Sequence, residues 1–213
     1  MQKYFDGPFI VVVCLIFIGC GAAVKEIRQK TQNERADVFS EINNTDSSAR
    51  NFAVLTIKAT IKTHLEEYYP LESKYSQHGK PGYPFLINID GQAETWKVDG
   101  QKESLALYDK DGKVSHNPDA GEGIKYILEK RIKLSDGYHK LFFGLPSDDY
   151  FKEVEITLTK GDFATLEFKP IYNPQTLTRK LKSIGKYKTL SARIPTFKRG
   201  IKDMEIYLNG TRL

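Results

Sequence analysis

The chain has 213 residues, 40% of them hydrophobic and 12% aromatic, with a net charge of +5 and a pI near 9.0. This is the composition of a globular protein with enough apolar material to build a core. Two cysteines and four scattered histidines give neither a disulfide framework nor a metal-ligand spacing, and there is no Gly-x-Ser-x-Gly, P-loop or Rossmann fingerprint.

Met1 to Gly7 is short and polar, with Lys3 and the α-amino group set against Asp6. Phe9 to Ile18 follows, ten apolar residues without a charge, then Gly19-Cys20-Gly21-Ala22-Ala23, small residues around a cysteine. A basic start, an apolar run and a small-residue end are the three parts of a secretory signal peptide. The uncharged stretch from Gly7 to Val24 is 18 residues long and includes Pro8. A membrane-spanning helix needs about 20 apolar residues, so this one sits at the short edge.

Leu15-Ile-Phe-Ile-Gly-Cys20 resembles the lipobox of bacterial lipoproteins. The resemblance implies a signal peptide over 1–19, cleavage after Gly19 and a diacylated Cys20 as the new N-terminus. Phe17 stands where leucine is commonest, and Asp6 dilutes the basic start. Two acyl chains hold a protein where one binds reversibly, at about 0.8 kcal/mol per buried CH₂. Loss of Cys14 with the signal leaves Cys20 alone, and acylation removes a thiol exposed to an oxidising compartment. By resemblance to enterobacterial sorting, Gly21 favours the outer membrane over the inner. The competing reading is an uncleaved transmembrane anchor with an incidental cysteine. A type IV prepilin, with Gly7 at its cleavage site, lacks the glutamate expected five residues on.

Residues 20–50 read as a polar tether, part helical, that lifts a domain off the membrane. Lys25 to Arg35 is highly polar, and Asn43-Asn-Thr-Asp-Ser-Ser48 is a run of loop formers. From residue 51 to 213 the pattern is that of strands. Ala53, Leu55, Ile57, Ala59, Ile61 and Leu65 share one parity. So do Ile124, Tyr126, Leu128, Ile132 and Leu134, then Val154, Ile156 and Leu158, then Ala164, Leu166 and Phe168, and finally Met204, Ile206 and Leu208. Period-two alternation marks half-buried strands. Asp-Gly at 90–91, 99–100, 111–112 and 136–137, and Asn-Gly at 209–210, supply the positive φ angles of tight hairpins. Helical turns are expected only at His64 to Tyr69 and Thr176 to Ile184. The fold class expected is all-β, an antiparallel sandwich.

Phe85 to Gly91, Arg131 to Phe143 and Phe151 to Phe168 resemble, in that order, the opening strand, the "leucine, turn, Gly-x-His, strand" segment and the closing hairpin of the PEGA domain. That module is a small β-sandwich of bacterial envelope and signalling proteins, and residues 85–170 would be its equivalent. The PEGA tetrapeptide is absent, and Gln92 to Gly123 is longer than the module needs. The resemblance implies an Ig-like or PEGA-like sandwich that binds or spaces and does not catalyse.

Between Pro174 and Lys202 stand nine basic residues and no acid: Arg179, Lys180, Lys182, Lys186, Lys188, Arg193, Lys198, Arg199 and Lys202. The rest of the chain therefore carries −4. Such a stretch, within the basic segment and final strand of 174–213, suits anionic headgroups or acidic glycan, with an affinity that falls as salt rises. A solvated face whose charges serve solubility is the plainer alternative. Nucleic acid is not expected as a partner of an exported chain.

Weaker signals weigh little. Asp109, Asp111, Asp119 and Glu122 surround a glycine loop but lack the full calcium spacing. Ser183-Ile-Gly-Lys186 lacks the partner motifs of penicillin-recognising enzymes. His139 is expected to be structural. Tyr68, Tyr69, Tyr75, Tyr83, Phe85 and Trp96 either stack on sugar rings or fill a core. The expectation is a non-catalytic, lipid-anchored envelope module without cofactor, binding or scaffolding at the periplasmic or outer face. Its partner is an envelope protein or an anionic glycan. An envelope hydrolase with a site assembled from distant residues, or a single-pass β-domain of a surface or secretion assembly, is the alternative.

Overall fold

A computed structural model describes residues 21–42, 51–183 and 186–213; for residues 21, 22, 179–183, 186–188 and 190 it describes the backbone alone. Helix α1 (Gly21–Lys30) and β1 (Phe39–Glu41) precede β2 (Ala53–Thr63), β3 (Tyr83–Ile89), β4 (Gln92–Val98), β5 (Gln101–Leu105) and β6 (Gly121–Leu134). Then come β7 (Gly137–Leu145), β8 (Tyr150–Leu158), β9 (Phe163–Tyr172), β10 (Pro174–Ser183), β11 (Lys186–Pro195), β12 (Ile201–Leu208) and β13 (Thr211–Arg212).

The all-β sandwich expected from the alternation is what forms. One sheet runs β1-β6-β2-β9-β12-β13, with β5 also on β6, and the other runs β4-β3-β7-β8. Pairing is antiparallel except between β2 and β9. The inward parity of β2, with Leu55, Ile57, Ala59 and Ile61 at 0–1% exposure, meets Phe85, Ile87, Leu141 and Phe143 of the facing sheet. The Phe143 and Phe168 rings stack across the interface at 4.0 Å, and those of Tyr83 and Tyr126 at 4.7 Å. At the edge, Tyr150 Oη and Lys152 Nζ of β8 both donate to Asp203 Oδ1 of β12 at 2.9 Å. Donation from Lys152, the Met204 backbone and Tyr150 holds the Asp203 carboxyl at about 2.

Strand β3 is apolar on both faces because both are covered. Its outer face, with Ala93 and Phe142 of the neighbouring strands, receives Ile27 of α1. Residues read as a tether therefore lie along the domain as far as residue 42. Glu34 and Arg35 N–H donate to the Gly91 carbonyl, and Gln92 Oε1 accepts from Val38 and Phe39 N–H. Strand β1 then pairs with the end of β6. Ile27 and Phe39 supply the two apolar anchors, each under 10% exposed. None of the described helices is long and apolar enough to cross a membrane.

Most of the turn signals act as expected. Asp90-Gly91 and Asn209-Gly210 take positive φ at both residues, the geometry of a two-residue hairpin. Asp99-Gly100 and Asp136-Gly137 act differently: the chain crosses there from one sheet to the other, β4 to β5 and β6 to β7. Gly100 allows close approach, since a Cβ would sit 2.2 Å from Ile124 Cγ2. The two expected helical turns are corrected. His64 to Tyr69 is a turn closed by Tyr68 N–H on the Leu65 carbonyl. Thr176 to Ser183 is strand β10, its whole length paired with β11, and Ile184 lies outside the described residues. Leu177 and Leu181 have helical spacing, but Thr176, Thr178 and the cross-strand ladder favour the extended form.

Candidate functional site

Two arrangements at one end of the sandwich carry chemistry. The first is the β10–β11 ribbon. Its ten backbone pairs run from Pro174↔Pro195 to Ser183↔Lys186, and neither strand pairs with any other described strand. At about 3.3 Å per residue it is roughly 33 Å long. Six of the nine clustered basic residues are on it: Arg179, Lys180 and Lys182 on β10, and Lys186, Lys188 and Arg193 on β11. The first five have side chains outside the described set; Arg193 is exposed. Ile194 is buried where the ribbon joins the body. There Leu177 and Ile194 line a groove of about 210 Å³ with Leu107, Tyr108 and Val114.

Lys198 and Arg199, also expected as anionic contacts, are not on the ribbon but in a 3-10 turn between β11 and β12. Lys198 Nζ lies 5.3 Å from the Tyr68 ring centroid, and Arg199 borders a cleft. Cys20 lies outside the described residues.

That cleft is the second arrangement. Strand β2 ends at Thr63, so His64 is the first residue of the 64–82 connection, which folds back over the strand end. Gly79 N–H donates to Thr63 Oγ1, and Tyr69 Oη to the Lys198 carbonyl. The fold-back brings His64, Glu72 and His78 together, although their spacing in sequence matches no metal motif. Glu72 Oε1 lies 3.5 Å from His64 Nε2 and 2.7 Å from His78 Nδ1, and it accepts the Ser76 hydroxyl. Asp148, in the turn between β7 and β8, brings Oδ2 within 3.4 Å of His78 Nε2 and accepts the Tyr83 hydroxyl. Among the described residues, His78 Nε2 is one of two buried side-chain atoms without a hydrogen-bond partner; Asp119 Oδ1 is the other.

The electrostatics follow from this placement. Burial opposes a charge on His78, but Asp148 and Glu72 on either side outweigh it and raise the imidazole pKa. Burial likewise opposes the Glu72 charge; Ser76 and the two histidines overcome it and lower that carboxyl. Burial, then Asp148, pushes the Tyr83 phenol well up. The cleft lined by His64, Tyr69, Glu72, His78, Asp148 and Arg199 has a volume of about 210 Å³.

The remaining sequence signals separate. Asp109 Oδ1 accepts Asp111 and Lys113 N–H within its own turn, Glu122 pairs with Lys102, and Asp119 lies beside Lys62, so the loop carboxylates do not converge. His139 is structural, its Nδ1 2.7 Å from Asp90 Oδ2 and Nε2 3.0 Å from the Ser135 carbonyl. Tyr83, Phe85 and Trp96 are buried, while Tyr68 and Tyr75 are exposed. No protein-family model matches the chain, and neither does a curated protein or a solved structure.

Proposed function

We propose that the chain is a non-catalytic module of the cell envelope, tethered by lipid on Cys20, that engages an anionic envelope polymer through the β10–β11 ribbon. One observation carries the reading: a ribbon of twenty paired residues holds six basic residues and no acid and pairs with no other described strand. A lone two-stranded hairpin is marginal in water, and like charges crowded along it repel. A polyanion lying along the ribbon offsets both costs. The likeness to the PEGA module supports a binding role. Helix α1 begins at residue 21 and docks on the outer face of the four-stranded sheet, so acylation at the preceding cysteine would hold that face near the membrane.

The convergence of His64, Glu72, His78 and Asp148 favours a second reading, an envelope hydrolase. The cleft is about 210 Å³, below the roughly 300 Å³ at which small-molecule sites begin. The ribbon reading therefore leads.

Replacing Arg179, Lys180, Lys182, Lys186 and Lys188 by glutamine is the direct test, read as the salt needed to elute the protein from immobilised heparin. A control variant neutralises the exposed Lys25, Lys97, Lys110, Lys113 and Lys160, for the same change in net charge. The ribbon variant is expected to elute at much lower salt than the control. Equal elution of the two variants would reduce the ribbon to a contributor of net charge and remove it as a site.

A further inference from the structure

We propose that His64, Glu72 and His78 form a zinc site, with His64 Nε2, Glu72 Oε1 and His78 Nδ1 as ligands and a fourth position open to the cleft. This stands apart from the ribbon reading and needs none of its residues.

His64 Nδ1 lies 2.8 Å from the Leu65 carbonyl oxygen, which only accepts. A ring proton therefore sits on Nδ1, and in the neutral ring Nε2 turns a lone pair towards Glu72 Oε1 at 3.5 Å. His78 offers the same pattern with its nitrogens exchanged. Nε2 faces the Asp148 carboxylate, itself held by the Tyr83 hydroxyl, and Nδ1 faces Glu72 Oε1. A proton on His78 Nδ1 accounts for its 2.7 Å contact with Glu72; a neutral His64 then leaves Nε2 and the carboxylate as two acceptors face to face, and a protonated one donates there. A cation between the three atoms satisfies all of them.

The dimensions agree. One donor atom from each residue can be chosen so that all three lie within 4.8 Å of one another. Tetrahedral zinc, with bonds of about 2.0–2.1 Å, places its ligand atoms roughly 3.4 Å apart. The contact between Glu72 and His64, at 3.5 Å, already has that spacing, and that between Glu72 and His78, at 2.7 Å, opens by roughly 0.7 Å when metal replaces the proton. Zinc-bound histidines as a rule donate their other nitrogen to a carbonyl or carboxylate, and Leu65 and Asp148 stand in those places. Two imidazoles and one carboxylate suit zinc; calcium and magnesium take oxygen ligands. Three protein ligands leave one position for water or a small ligand, on the side of the cleft bordered by Tyr69 and Arg199.

Cobalt and zinc are the probes. The full chain, carrying Cys14→Ser and Cys20→Ser so that no thiolate takes part, is stripped with chelator and titrated with each metal. One equivalent of zinc is expected to bind and to raise the melting temperature, and cobalt to give the visible absorption of a tetrahedral site without thiolate bands. His64→Gln and Glu72→Gln should each weaken binding by ~100-fold with the fold intact by circular dichroism. Asp148→Asn, one step out, should weaken it by ~10-fold. His116→Ala, an exposed histidine outside the cluster, should leave binding unchanged. Failure of zinc to bind at one equivalent, or binding that survives both His64→Gln and Glu72→Gln, would overturn the proposal.

Discussion

Replacing Phe143 by alanine is expected to lower stability by about 4 kcal/mol, in the 3–5 kcal/mol range of buried aromatic truncations. Phe143 is fully buried on β7, stacked at 4.0 Å and 11° on Phe168 of the opposite sheet and 6.3 Å from Phe85. Its ring is one of the contacts through which the two sheets meet, so alanine leaves a cavity lined by side chains from both. In a domain of this size each kcal/mol shifts the melting temperature by ~2–4 °C, which makes the expected fall about 10 °C. Phe143→Leu, which keeps most of the volume, should lose less than half as much. Urea denaturation of the two variants checks this. A cost below about 1 kcal/mol for the alanine variant would mean that the sheets do not pack through this residue.

Lys62→Ala is expected to cost about 3 kcal/mol by a different mechanism. Lys62, on β2, is 2% exposed, and its ammonium is nonetheless fully engaged. Nζ donates to Glu103 Oε2 at 3.1 Å and to the Asp119 and Gly121 carbonyls at 2.8 and 2.9 Å, and lies 4.9 Å from the Phe197 ring centroid. Removing one partner of a buried pair strands the others, typically at 3–5 kcal/mol. The lower end applies here because Glu103 is partly solvated and keeps Lys125. Glu103→Gln should therefore cost much less than Lys62→Ala. Asp119, whose carboxyl is raised by burial, loses the cation that steadies it. An unchanged urea midpoint for Lys62→Ala would show the ammonium to be solvated.

What the sequence made legible follows from the range of the interactions concerned. Alternation in β2, β6, β8, β9 and β12 is a local signal, and each of those strands forms where the parity of its apolar residues places it. The Asp-Gly and Asn-Gly turns are equally local, except at Gly100, where the glycine answers to Ile124 and Tyr126 on another strand, and at Asp136-Gly137, where the chain passes between the sheets. Helix α1 and β1 were obscured by their surroundings: one apolar anchor in each, Ile27 and Phe39, is enough to dock a segment that is otherwise polar. The ribbon showed itself as charge but not as structure, since Leu177 and Leu181 fit a helix as well as a strand until β11 is supplied as partner.

The histidine cluster was beyond any local reading. His64 lies at a strand end, Glu72 and His78 within one irregular connection, and Asp148 in a turn about seventy residues on. Their meeting depends on that connection folding back on Thr63 and Lys198 through single hydrogen bonds. No periodicity encodes such a contact. The available hint was compositional: three tyrosines, two histidines and three acids fall between residues 64 and 78, in a stretch without strand alternation.

The tether is tested most directly by the intact mass of the protein purified from membranes, beside a Cys20→Ala variant. The account predicts a chain that begins at residue 20 and carries acyl mass, with both features lost in the variant. A full-length, unmodified chain that stays in the membrane when Cys20 is replaced would contradict it, and would make the apolar run from Phe9 to Ile18 part of a transmembrane anchor.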